Sequence, residues 1–266
     1  MTKPQDLARV GDEIRRLVIQ MSYESHSGET GSSLSISDLL AALYFRVMRI
    51  DPKHPDDPER DRFVLSKGHG AAALYATLAL RGYFPLAYLA KHRVNKGIFH
   101  GHPSRGSAPG IEVSTGSLGH GLSISAGMAL ALRGGKQRVY VLLGDGECNE
   151  GSVWEAVLSI GALRLSNIVA IVDDNKYQGY GETVKTNPFD LGAQWAAFGW
   201  KVLRVDGHDT DQVAEALEVA SRADGPVVVI ADTVAGKGVP AIEHTLEAHY
   251  YVPNEEVYQH SKHAQS

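Results

Sequence analysis

The chain has 266 residues, of which 43% are hydrophobic and 21% charged, so it is long enough to bury a sizeable core in one globular unit. A net charge of −5 without a long basic run argues against a nucleic-acid partner. Residues 1–16 lack an apolar signal core, and no apolar run reaches the ~18 residues that cross a bilayer. The single cysteine, Cys148, excludes an internal disulfide and favours a cytoplasmic protein.

The N-terminal part is predicted to be helical where apolar residues recur every three or four positions. The segment from Leu7 to Met21 follows this spacing and is the first predicted helix. A Gly/Ser-rich stretch, 22–33, is predicted as a loop, and a second helix is predicted over 38–48. Ser35 or Ser37 is positioned to cap that second helix.

The middle of the chain combines proline- and glycine-rich loops with short apolar segments. Residues 51–61 and 96–114 are predicted loops, and 62–65 is a predicted strand. An Ala/Leu-rich helix ends at Arg81, where Gly82 is the predicted C-cap because glycine readily adopts the left-handed conformation.

The remaining segments alternate between helix and strand. In chain order they are a helix opened by 116–121 and ending at 134–135, strand 139–143, helix 152–163, strand 168–172, a long loop, strand 200–205, helix 210–222 and strand 226–232. This alternation predicts an α/β fold, a parallel sheet with helices on both faces, as a single domain over 1–266.

Polar motifs directly follow two of the predicted strands. Gly144-Asp145-Gly146 ends one strand, and Asp174-Asn175 follows the next. Because parallel strands deliver their C-terminal ends to one edge, Asp145 and Asn175 should lie together there. A carboxylate, an amide oxygen and a diphosphate form an oxygen shell suited to Mg²⁺. Alone, these motifs are equally typical of a helix N-cap and a turn.

Further motifs occur in a fixed order along the chain. They are Ser66-Lys67-Gly68-His69-Gly70, Gly101-His102-Pro103, the run from Gly110 to Gly121, Asn149-Glu150-Gly151 with Trp154-Glu155-Ala156, and Gly236-Lys237-Gly238. With these motifs the chain resembles the N-terminal, cofactor-diphosphate-binding part of a transketolase, over nearly its whole length.

The resemblance implies thiamine diphosphate as the cofactor, held through Mg²⁺ for which Ca²⁺ or Mn²⁺ could substitute. The metal ligands it implies are Asp145, Asn175 and the backbone carbonyl of Tyr177. The cofactor-binding residues it implies are His69, Gly116, Ser117, Leu118, Gly144, Asp145, Gly146, Glu147, Asn175 and Lys237. The alternatives are a simple helix entry at the glycine turn and a solvated loop lysine at Lys237.

Catalytic roles fall, by the same resemblance, on His69, His102, His249 and Glu150. Imidazoles suit a reaction that moves protons on and off a ketose hydroxyl near neutral pH. His69 is expected near the reacting centre and His102 at the donor's C1 hydroxyl, while Glu150 is expected at a subunit interface. Structural loop histidines and a helix-start glutamate are the alternatives.

The chain departs from the family at one substrate-facing position. The family's Gly-His-x-Gly reads Gly28-Glu29-Thr30-Gly31 here, so Glu29 stands in place of histidine, and His26 could substitute only if the loop shifts. A carboxylate there is expected to disfavour an anionic group. The hypothesis is therefore that the enzyme does not use the usual sugar phosphates or handles them differently.

The expected function is that of one subunit of a two-chain transketolase, a transferase that moves a two-carbon ketol unit from a ketose to an aldose or other aldehyde. The pyrimidine-binding and C-terminal domains of a full-length transketolase are expected on a partner chain, in an α2β2 assembly. The alternatives are a 1-deoxyxylulose-phosphate-synthase-like condensation, glycolyl transfer to a carrier in a specialised pathway, and a non-catalytic binding subunit.

Overall fold

The computed structural model describes residues 6–263, apart from the side chain of His263; the first five and last three residues of the predicted domain lie outside this range. The strands within it are β1 Arg62–Leu65, β2 Val139–Gly144, β3 Ile168–Asp174, β4 Tyr177–Gln178, β5 Gly181–Glu182, β6 Lys201–Asp206 and β7 Val227–Asp232. Five of them form a parallel sheet in the order β1-β2-β3-β7-β6, and β4 pairs with β5 as a small antiparallel hairpin.

Ten α-helices lie in the described part of the chain. They are α1 Leu7–Glu24, α2 Thr30–Leu34, α3 Ser37–Ala42, α4 Ala71–Arg81, α5 His120–Ala131, α6 Gly151–Leu163, α7 Leu191–Ala197, α8 Thr210–Ser221, α9 Glu247–Tyr250 and α10 Glu255–His263. Short 3₁₀ turns at Gly68–Gly70 and Gly146–Asn149 follow β1 and β2 at the sheet edge.

Helices cover both faces of the sheet, as the strand pattern predicts. Successive side chains of a strand point to opposite faces, and β2 and β3 are buried on both. Leu142 packs in one core with Leu39 of α3, while Val141 packs in a second core with Val157 of α6. The predicted α/β class and parallel sheet are therefore confirmed.

The predicted elements match the structure best where periodicity is strong. Gly82 caps α4 in the left-handed conformation, with φ +96°, as predicted. The predicted serine cap is wrong: Ile36 is the N-cap of α3, and Ser35 and Ser37 instead bond Asp173 and the Ser33 carbonyl. These hydroxyls are diverted because the segment is buried and its polar groups need partners.

Three predicted loops hold additional structure. The predicted 22–33 loop contains the end of α1 and the start of α2, and the long loop after β3 contains the β4–β5 hairpin and α7. Beyond β7 the chain forms α9 and α10, which no periodic run announced. These elements are too short for a periodic signal and depend on packing.

No helix among residues 6–263 combines the length and the apolar character needed to cross a membrane.

Candidate functional site

The two predicted polar motifs meet at the C-terminal edge of the sheet. The Lys176 backbone N–H, next to Asn175, donates a 2.8 Å hydrogen bond to Asp145 Oδ2. The adjacent strands β2 and β3 cause this, since Gly144 is paired in register with Asp173. The expectation that Asp145 and Asn175 share one edge is thus confirmed.

Asp145 is buried in surroundings that oppose its negative charge. Burial, followed by the nearby Asp173 and Asp174 carboxylates, raises the pKa of Asp145 to about 7. Hydrogen bonds from the Gly146 N–H and the Thr183 hydroxyl act in the opposite direction but do not compensate. A cation would stabilise this carboxylate. The Gly146 bond also makes Asp145 the N-cap of a 3₁₀ turn, so the alternative role from the sequence is present as well.

The Asn175 amide is held in a defined orientation beside Asp145. Its Nδ2 donates to Asp173 Oδ2 at 3.0 Å, and its Oδ1 accepts from the Tyr177 N–H at 3.0 Å. Within residues 6–263, no three His, Cys, Asp or Glu side chains are grouped as a metal site. A metal at this edge would therefore depend on one carboxylate, one amide oxygen, a main-chain carbonyl and oxygens of a ligand.

A buried ion pair between Lys67 and Asp173 underlies the site. Lys67 Nζ lies 2.5 Å from Asp173 Oδ2, and the Ser35 and Thr233 hydroxyls also donate to this carboxylate. Burial opposes ionisation of Asp173, but the Lys67 charge and these hydrogen bonds outweigh it and lower its pKa. Sequence reasoning assigned no role to either residue. The available signal was a lysine and an aspartate that follow apolar strands.

Glu147 is held by protein groups at this edge. Its carboxylate accepts from the Gly119 N–H at 2.8 Å, the Gly144 N–H at 3.1 Å and the Ser66 hydroxyl. It thereby ties the ends of β1 and β2 to the turn before α5. Any contribution of Glu147 to cofactor binding is indirect, through the shape of that turn.

The three predicted catalytic histidines belong to segments that converge. The His69 and His249 rings are 5.6 Å apart. His102 packs against Gly116, where a Cβ would lie 3.0 Å from the ring, and Gly116 in turn abuts Gly68. Residues from the end of β1, the 101–103 loop, the 116 turn and α9 thus surround one space.

His69 is electrically neutral in this cluster. Burial lowers its pKa to about 3, and the charges of Lys67, His249 and His102 act in the same direction. Asp173 opposes the shift only weakly. At neutral pH the imidazole is therefore available as a hydrogen-bond donor and acceptor without a formal charge.

The predicted cofactor-binding turn is accessible. Gly116 has φ +134°, a conformation that favours glycine, and Ser117 is exposed. Leu118 is half-buried, and its carbonyl contacts His120 Nδ1 at 3.2 Å. The side chain of Lys237, after β7, forms no hydrogen bond or ion pair within residues 6–263, so its charge is free for an anion.

The other predicted site residues lie around the rim. Glu150 is exposed at the N-terminus of α6 without a side-chain capping bond, and its Cβ lies near Gly119. Glu29 precedes α2 with φ +68°. The His26 ring is exposed and lies edge-on to Tyr23 at 6.3 Å.

A protein-family model matches most of the chain. The family is described as transketolase, thiamine diphosphate binding domain, and the match covers residues 7–264.

Curated relatives of similar length are named as parts of transketolases. The chain is 44% identical over 257 residues to the 6-deoxy-6-sulfo-D-fructose transketolase subunit SqwG of Clostridium sp. (strain MSTE9), covering 95% of this chain and 94% of that protein. It is 41% identical over 254 residues to one of the named subunits of the apulose-4-phosphate transketolase of Actinobacillus succinogenes, covering 93% and 91%.

Solved structures show the same fold within longer chains. A transketolase from Pichia stipitis, in a complex with xylulose 5-phosphate, superposes with a TM-score of 0.92 at 31% identity. The match covers 96% of this chain and 40% of that one, so the chain spans about two fifths of that transketolase's length.

Proposed function

Because this chain belongs to the transketolase family, as its thiamine-diphosphate-binding domain, we propose that it is one subunit of a two-component transketolase. The assembly would transfer a two-carbon ketol unit from a ketose to an aldehyde acceptor. The observation that carries the proposal is the meeting of Asp145 and Asn175 at the sheet edge, beside three converging histidines.

The residues at this edge fit a metal-bound diphosphate. The raised pKa of Asp145 marks a carboxylate that lacks a compensating cation, and Lys237 offers an unpaired positive charge. Asp145, Asn175 and the Tyr177 carbonyl would hold Mg²⁺, and Gly116 would let the main chain approach the cofactor closely. When bound, thiamine diphosphate supplies the carbon nucleophile and electron sink for C–C cleavage.

The side chains of this chain would bind substrate and move protons. His69, neutral at working pH, lies where it can hydrogen-bond to the reacting centre, and His102 is assigned to the C1 hydroxyl of the donor. His249, whose pKa is lowered mainly by burial, can accept a proton near neutral pH. Glu150, exposed on the rim, is assigned to the subunit interface.

A partner chain would complete the active site. Relatives that this chain covers over more than nine tenths of their length are named as subunits, which supports a split enzyme. We assign the pyrimidine-binding and C-terminal domains to the partner, two copies of each chain to the assembly, and the cytoplasm as its location.

Native mass spectrometry of the chain purified from its own cell, with thiamine diphosphate and Mg²⁺, tests this proposal. The expected species contains a second chain and two cofactor masses, and it transfers two-carbon units from a ketose. The isolated chain serves as the control and should be inactive. A homo-oligomer that binds no cofactor would contradict the proposal, and product analysis separates ketol transfer from a decarboxylating condensation.

A further inference from the structure

An ion pair lies beside the histidine cluster. Arg93 Nη1 lies 2.9 Å from Glu29 Oε2, with the two side chains 34% and 29% exposed. Glu29 Oε1 accepts no hydrogen bond within residues 6–263. The pair therefore presents one free carboxylate oxygen whose neighbour is already fixed by a guanidinium.

The pair joins two segments that flank the site. Residues 28–31 lie directly against 248–251: the Thr30 hydroxyl donates to the Tyr251 carbonyl at 2.9 Å, and a Cβ on Gly28 would lie 3.0 Å from the Tyr250 carbonyl oxygen. Glu29 is thereby placed beside the α9 segment that carries His249. On the other side, the Arg93 guanidinium packs on Gly101, immediately before His102, where a Cβ would lie 3.0 Å from Arg93 Cζ.

Glu29 is the acidic group that acts on His249. The His249 ring faces His69 at 5.6 Å and, on its own helix, Tyr250 at 4.9 Å. Burial and the Lys67 charge lower the pKa of His249, and Glu29 opposes them. Glu29 thus stabilises any positive charge that develops on this imidazole.

The arrangement also changes the expectation drawn from the sequence. A lone carboxylate would repel an anionic substrate, but Arg93 offsets the Glu29 charge. Selection against sugar phosphates therefore no longer follows from Glu29. What remains is a hydrogen-bond acceptor close to the reacting end of the substrate.

We propose, on the basis of the proposed function, that the Glu29–Arg93 pair recognises the hydroxyl on the departing carbon of the donor ketose. Glu29 Oε1 accepts that hydrogen bond, and Arg93 is the positioning residue for Glu29. As the C2–C3 bond breaks, its electron pair stays with the two-carbon unit. C3 then becomes the aldehyde carbon, and the hydroxyl proton passes to His249.

Donor comparison in the complete two-chain assembly tests this proposal. Glu29→Gln and Arg93→Met are assayed with a ketose that the wild type uses, chosen among xylulose 5-phosphate, apulose 4-phosphate and 6-deoxy-6-sulfofructose. The second donor is hydroxypyruvate, which loses CO₂ and has no hydroxyl on the departing carbon. We expect kcat/KM of Glu29→Gln to fall by about tenfold or more with the ketose and to stay within about twofold with hydroxypyruvate.

The matched control is Arg46→Met. Arg46 has the same 34% exposure as Arg93 and is paired with Glu218 and Asp211, which lie on α8. This variant should leave both donors unchanged. An equal loss of activity with both donors in Glu29→Gln, or no loss with either, would overturn the proposal.

NMR titration of His249 in the isolated chain provides a second readout that needs no activity. Glu29→Gln should lower the pKa of His249, because it removes the opposing negative charge. Arg93→Met should raise it, because Glu29 loses its counter-charge. Shifts of the same sign, or none, would overturn the proposal. A wild-type assembly that uses no ketose would instead refute the proposed function.

Discussion

Lys67 and Asp173 form an ion pair that solvent does not reach, with side chains 1% and 0% exposed, and it joins the ends of β1 and β3 beneath the proposed cofactor site. The pair is doubly anchored, because the Ser35 and Thr233 hydroxyls also donate to the carboxylate. A buried charge left without its partner is costly, so the pair is a point where the stability of the site can be measured directly.

Lys67→Met should lower the free energy of unfolding by about 3–5 kcal/mol, because Asp173 would remain buried without its counter-ion. Urea denaturation measures this change. Lys176→Met is the matched control: Lys176 is 52% exposed and pairs with Asp174 and Asp232, so its loss should cost about 1 kcal/mol or less. Equal losses in the two variants would contradict the assigned role of the buried pair.

Asp145→Asn should stabilise the cofactor-free chain while weakening cofactor binding. The folded-state pKa of about 7 lies above the ordinary 3.8, so stability falls as pH rises through that window. At pH 8 the variant should gain on the order of 2 kcal/mol in thermal unfolding. In the two-chain assembly, the affinity for Mg²⁺ and thiamine diphosphate should fall by about tenfold or more.

Asp190→Asn is the control for that prediction. Asp190 caps α7 and pairs with Arg204, but it is exposed and forms no part of the proposed metal ligands. It should leave cofactor affinity unchanged. Cofactor binding by Asp145→Asn at wild-type strength would remove Asp145 from the ligand set.

His69→Gln should make the chain more resistant to acid. The folded-state pKa of about 3 lies below the ordinary 6.5, so in this window the unfolded chain binds a proton that the folded chain does not. Stability is therefore lost as pH falls below 6.5, with a slope approaching about 1.4 kcal/mol per pH unit. Thermal unfolding of both chains between about pH 4 and 8 measures the difference.

The difference between the two chains isolates His69. His92, whose pKa burial lowers to about 4, and Asp145, whose shift has the opposite sign, contribute to both curves and cancel. A difference that is independent of pH across this range would show that His69 is not held neutral.

Gly116→Ala should impair catalysis by displacing His102. Gly116 has φ +134°, and a Cβ would lie 3.0 Å from the His102 ring, so both the main chain and the ring must move. We expect kcat/KM of the assembly to fall by about tenfold or more. Gly134→Ala is the control, since Gly134 has φ +86° but open space around it, and it should cost only about 1–2 kcal/mol of stability. Similar activity of both variants would separate Gly116 from the site.

Much of the fold and of the site follows from local pattern. The buried runs of β2 and β3 predict parallel strands, and parallel strands bring Asp145 and Asn175 to one edge. Short elements such as α2, α7 and the β4–β5 hairpin escape such reasoning, because segments of two to seven residues carry no period and form through tertiary packing.

The sequence by itself determined the fold class, the family and the main polar residues of the site, because apolar periodicity and ordered motifs are local properties of the chain. Only the tertiary structure decided which distant charges meet. Lys67 neutralises Asp173 across 106 positions, and Arg93 neutralises Glu29 across 64. Such pairs depend on strand order and on loops packed against one another, and both arise from contacts between residues remote in the chain, which no local pattern encodes.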